Sequence, residues 1–66
     1  MSSLQHFRLK RGLTMKQLAE LAGVSIQSIS AIERGGMIPS VRIALKLAQV
    51  LGVTIEELCM SQEGVS

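Results

Sequence analysis

Sixty-six residues allow one small domain, and 47% of them are hydrophobic at a mean hydropathy of +0.37. A domain of this size buries only about 60% of the surface its unfolded chain exposes, so some apolar side chains must stay outside and mark a partner site. The net charge is a modest +2, and one Phe with no Tyr or Trp leaves no ring platform for stacking single strands or RNA loops.

In chain order, Leu4 and Phe7 lie three apart among Arg8, Lys10 and Arg11 and predict a first helix over 4–11, closed by Gly12. Thr14 with Gln17 three residues on is a capping box, opening a second helix over 15–22 that stops at Gly23. Ser25 caps a third helix, 26–34, closed by Gly35 and Gly36. Pro39 and Ser40 end the next loop, and Ser40 caps a fourth helix, 41–51, stopped by Gly52. Thr54 and Glu57 form another capping box for a fifth helix, 55–60, and the tail 61–66 is expected to fray. No segment reads as a strand. The expected fold is all-α, one domain over 1–66.

The residue inventory argues against an enzyme. There is no Asp, so a Ser-His-Asp triad is impossible, and the adjacent Glu56 and Glu57 point about 100° apart on a helix rather than converging. His6 and Cys59 stand at opposite ends with no third or fourth zinc ligand, so no metal, cofactor or small-molecule ligand is expected. His6 reads as a surface residue and Cys59 as a small buried hydrophobe; a lone Cys makes no internal disulfide. The start, MSSLQHFRLKRG, lacks the apolar run of a signal peptide, and no uncharged stretch approaches the roughly 20 residues of a membrane span. A cytoplasmic, reduced protein is the expectation.

Charge is segregated. Residues 1–46 hold all seven Lys and Arg against Glu20 and Glu33, a balance of +5; residues 47–66 hold Glu56, Glu57 and Glu63, a balance of −3. Such asymmetry suits one face for a polyanion and another that avoids it, or else an ordinary solvated surface. The chain also echoes itself: LAELAGVSIQSI at 18–29 matches LAQVLGVTIEEL at 47–58 in a helix, Gly turn, cap and helix order. The second copy opens its last helix with Glu56-Glu57, which would repel phosphate. The first has no acid between Ser25 and Ala31 and ends at Arg34. If one copy enters a DNA groove, it is the first.

In that first copy Leu18, Leu21, Ala22, Val24, Ile29 and Ile32 are expected to form one apolar face across the turn, with Ala19 small where the helices approach. Gln27, Ser30, Ala31 and Arg34, at i, i+3, i+4 and i+7, make the opposite face of the third helix. They suit a major groove about 12 Å wide, where Gln pairs with adenine and Arg with guanine or phosphate.

These residues carry a resemblance. Thr14–Gly35, TMKQLAELAGVSIQSISAIERG, resembles the helix-turn-helix of the Cro and phage-repressor (XRE-type) transcription regulators. The likeness extends to FRLKRGLT at 7–14, IPS at 38–40 and LKLAQVLGVTIEEL at 45–58. It implies a compact five-helix, λ-repressor-like domain that binds double-stranded operator DNA through its third helix, commonly as a symmetric dimer. Carried over by position, Ile26, Gln27, Ser30 and Ala31 match base-facing places. Thr14, Ser25, Arg34 and Arg42 match phosphate-holding places, and Lys16 takes over from Met15, which stands where many relatives have Gln. Arg8 and Glu33 match a pair that bridges the first and third helices. Ile26 replaces a commonly polar reader and either packs on a thymine methyl or staples the helix. Direct hydrogen-bond readout then rests on Gln27, with DNA shape supplying part of the specificity.

The fourth helix carries two apolar stripes, Val41, Ala44, Ala48, Leu51 and Ile43, Leu47, Val50, where its own core needs one. The second stripe with Leu58, Cys59, Met60 and Val65 is expected to form a two-fold homodimer interface, setting the reading helices about 34 Å apart on a palindromic operator. Without a separate activation segment, repression by occlusion is the default. The alternative is a protein-interaction module, such as the antitoxin half of a toxin pair, binding its partner through the apolar C-terminal surface.

Overall fold

Local signals close each helix, and packing of the helices then decides what is inside. A computed structural model describes residues 3–60, apart from the side chains of Cys59 and Met60; the tail expected to fray and Val65 lie outside the described residues. Five helices follow in order: α1 Ser3–Lys10, α2 Met15–Ala22, α3 Ile26–Glu33, α4 Val41–Leu51 and α5 Ile55–Met60. No strand occurs among the described residues, and no helix there is long and apolar enough to cross a membrane. Helix α1 starts and stops one residue earlier than expected, and α3 stops at Glu33 rather than Arg34. In α3 the reason is the exit geometry: the Gly36 N–H returns to the Ala31 carbonyl at 2.9 Å and the Gly35 N–H to Ile32 at 3.1 Å, leaving Arg34 as the cap.

The starts of α2 and α5 are built as reciprocal caps. Thr14 Oγ1 accepts the Gln17 N–H at 3.0 Å while Gln17 Oε1 accepts the Thr14 N–H at 2.9 Å. Thr54 and Glu57 repeat this at 3.0 and 2.8 Å. Each box satisfies two backbone donors that a helix start otherwise leaves without partners.

Leu4, Leu18, Ala19, Ala22, Ile29, Ile32, Leu47, Ala48, Leu51 and Leu58 form the core. Helix α2 lies between α3 and α4, while α1 packs on α3 and α5. Two expectations fail here. Leu21 is 62% exposed, so the apolar face of the first unit lacks it, and Val41 is 73% exposed. The buried face of α4 is Ala44, Leu47, Ala48 and Leu51, drawn from both expected stripes. The spacing i, i+3, i+4, i+7 is the natural width of one helical face, and α4 turns it toward α2 and α5 together.

Part of the expected dimer face is used within the chain itself. Leu47 and Leu58 are 1% and 7% exposed and belong to the chain's own core, so neither is available to a second copy. Ile43 and Val50 are half-buried against that core. The side chains of Cys59 and Met60 lie outside the described residues.

Candidate nucleic-acid interface

The site begins with the turn that joins α2 to α3. Gly23 takes φ +70°, a left-handed conformation costly to any residue with a Cβ, and the Val24 N–H returns to the Ala19 carbonyl at 3.0 Å. Ser25 then caps α3, its Oγ accepting the Ser28 N–H at 3.1 Å and donating to Ser28 Oγ at 2.9 Å. Ile29 and Ile32 point into the core, which turns the other side of α3 outward. On that side Ile26, Gln27 and Arg34 are exposed, and Ser30 and Ala31 are half-buried.

Glu33 is the only acid on α3, and its carboxylate is turned to Arg8 of α1. Arg8 grips it as a fork: Nε donates to Oε2 at 2.6 Å and Nη2 to Oε1 at 3.1 Å, with both side chains buried. Arg8 Nη1 also donates to the Leu13 carbonyl at 2.8 Å, so one guanidinium joins α1, the turn before α2 and the end of α3. The hydrogen bond to Glu33 holds the Arg8 guanidinium above its ordinary pKa, against the opposing effect of burial. The pairing neutralises the acid, and the outward surface of α3 keeps no negative side chain.

Cations divide into two groups. Arg8 and Arg11 are used internally, Arg11 donating from Nε to the Leu51 carbonyl at 3.0 Å and so capping the end of α4. Lys10, Lys16, Arg34, Arg42 and Lys46 are exposed, and none is in an ion pair, Arg8–Glu33 being the one pair among the described residues. Lys16 sits in the first turn of α2, Arg34 ends α3, and Arg42 is in the first turn of α4. Thr14 and Ser25 are exposed as well, but the Ser25 hydroxyl is engaged in both directions within its cap. His6 is exposed, with its ring edge against Phe7 at 5.1 Å. No group of three or more His, Cys, Asp or Glu among the described residues is placed to hold a metal ion.

Sequence reasoning missed a second surface. Ile38 is 92% exposed and Val41 73%, and both border an open groove of about 600 Å³ whose apolar lining includes Leu4, Met37, Ile55 and Leu58. The signal was present in Met37-Ile38-Pro39, an apolar run in a loop, where polar residues are the rule. The role of Arg11 had no comparable signal, since its partner lies 40 residues away.

Comparison with known proteins agrees with this geometry. A family model described as helix-turn-helix matches residues 4–58. An uncharacterized HTH-type transcriptional regulator of Methanocaldococcus jannaschii is 39% identical over 62 residues, covering 94% of each chain. Among solved structures, the restriction-modification controller protein C.AhdI from Aeromonas hydrophila superposes with a TM-score of 0.81 at 34% identity, covering 85% of each chain. The clp gene regulator ClgR from Corynebacterium glutamicum superposes at 0.86 with 29% identity, over 94% of this chain and 66% of that one.

Proposed function

The chain belongs to the helix-turn-helix family of DNA-binding transcription regulators, and from that premise we propose that it is a cytoplasmic repressor that binds a palindromic operator as a homodimer, with α3 in the major groove. The observation that carries this reading is the outward side of α3, where Gln27, Ser30, Ala31 and Arg34 stand without an acid because Arg8 has drawn Glu33 inward. Gln27 offers an amide for the adenine edge, and Ser30 a hydroxyl to either partner of a base pair. Lys16, Arg34 and Arg42 supply phosphate contacts, aided by the caps at Thr14 and Ser25. Repression follows from occupancy of the operator.

The homodimer reading rests on the groove beside Ile38 and Val41 rather than on Leu47 or Leu58. Exposed apolar side chains next to an apolar hollow are self-complementary about a two-fold axis, each copy filling the other's groove. Sedimentation showing only monomer at high micromolar concentration would defeat this part.

Selection of random double-stranded DNA on the purified chain at about 0.15 M salt, the physiological range, tests the whole. The expected result is a palindrome with half-sites one turn, about 34 Å, apart. Sequence-blind retention that disappears as salt rises would reduce the interaction to counterion release. Arg34→Ala is expected to weaken binding across all sequences and to lower the salt slope by about one.

A further inference from the structure

Ile26 keeps much of its surface in solvent. It is the first residue of α3, a large apolar side chain left 42% exposed and outside the buried core. At about 100° per residue it stands about 40° from Ser30 and about 20° from Glu33, at the edge of the outward side, in the first turn of the helix and two turns before Glu33. It does not brace the helix start either. A hydrophobic staple uses the residue before the cap and the fourth residue of the helix. Those places are held by Val24, packed against the core, and Ile29, wholly inside it. The cap is complete in Ser25 and Ser28. As a β-branched residue at an exposed helical position, Ile26 costs a little helix propensity.

On a helix seated in the major groove, an aliphatic side chain has one feature to recognise. Base edges there present donors, acceptors and a single apolar group, the C5 methyl of a pyrimidine. We propose that Ile26 is a methyl reader, packing on the C5 methyl of one pyrimidine in each half-site. It sets a base preference at that step which its hydrogen-bonding neighbour Gln27 does not supply. Thymine and 5-methylcytosine carry this methyl in the same place, so both belong to the recognised class. The inference rests on α3 entering the groove, as proposed above.

The test takes the duplex selected by the full chain and replaces each thymine in turn by deoxyuridine, which lacks only the methyl. At one thymine per half-site the natural chain is expected to lose roughly fourfold in affinity, the worth of one buried methyl. Ile26→Ala, at an exposed position and checked for an unchanged melting curve, is expected to be indifferent to the same replacement. With cytosine at that step, methylation of its C5 is expected to tighten binding by the natural chain and not by the variant. Insensitivity to deoxyuridine at every thymine, equal losses in the two proteins, or a consensus without thymine would each overturn the proposal. In all three cases the natural chain still selects and binds a duplex, so the reading of α3 as the groove helix stands. A chain that selects no duplex defeats both.

Discussion

The α2–α3 and α4–α5 units follow one local plan and end in opposite states. Both leave their first helix through a left-handed glycine, Gly23 at φ +70° and Gly52 at φ +72°, and both enter the next through a Ser or Thr cap. A Cβ at Gly23 would meet no atom within 4 Å, whereas one at Gly52 would lie 2.7 Å from Arg11 Nη2. The first turn is open, and its second helix is acid-free on the outward side. The second is plugged by Arg11, and its helix begins with Glu56 and Glu57. Two arginines three residues apart, Arg8 on α1 and Arg11 in the turn that follows it, create the contrast: Arg8 fastens the first unit through a buried carboxylate, and Arg11 fastens the second through a carbonyl at its rim. On the proposed function the same local motif serves reading or scaffolding according to which arginine lies beside it.

The strongest way to break this contrast is at the arginines. Arg8→Ala leaves Glu33 charged and without its partner in a buried site, at a cost of about 3 kcal/mol. A single core this small rarely supplies more than about 3–5 kcal/mol, so urea titration of the variant should show little or no cooperative transition. Arg11→Ala loses one hydrogen bond at the rim and is expected to cost only about 1 kcal/mol. Equal losses at the two positions would mean that the units are fastened alike.

A smaller effect separates the two glycines. Gly23→Ala pays only for its left-handed backbone, about 1 kcal/mol. Gly52→Ala pays that and also displaces the Arg11 guanidinium, for about 2 kcal/mol in all. In an Arg11→Ala background the extra cost of Gly52→Ala should vanish, and denaturation midpoints of the four proteins read this directly.

The smallest effect on stability is expected from moving an acid between the units. Gln27→Glu places on α3 the charge that α5 carries at Glu56. In the first turn it leaves stability unchanged or a few tenths of a kcal/mol higher, while DNA retention falls roughly tenfold or more through the lost amide and the added repulsion. Glu56→Gln should leave DNA retention unaltered and stability unchanged or a few tenths of a kcal/mol lower. Retention of DNA by Gln27→Glu at the natural level would remove α3 from the groove.

Much of the chain could be read locally. The caps at Thr14, Ser25, Ser40 and Thr54 and the stops at Gly12, Gly23, Gly35 and Gly52 bound the helices to within one residue, because capping and turn geometry act between residues two to five apart. The all-α class follows, and so does the difference between an acid-free α3 and an acidic α5. What faces inward on α4 did not. Two stripes were equally apolar, and the choice of Ala44, Leu47, Ala48 and Leu51 depends on α2 and α5 closing on it from adjacent sides. Leu21 and Val41 were given to the core and stand outside for the same reason.

The charged contacts divide in the same way. Composition identifies seven cations but not which ones are engaged. Arg8 meets Glu33 across 25 residues and Arg11 meets Leu51 across 40, and only the folded arrangement brings each guanidinium within hydrogen-bond distance. The resemblance implied the first contact; nothing implied the second. The amino-acid sequence by itself determined the helices, their order and the spacing of charge, since those depend on neighbours along the chain. Tertiary structure alone decided that Leu21, Ile38 and Val41 would be among the apolar side chains left over. Burial depends on which surfaces meet, and a core this small fills before the apolar residues run out.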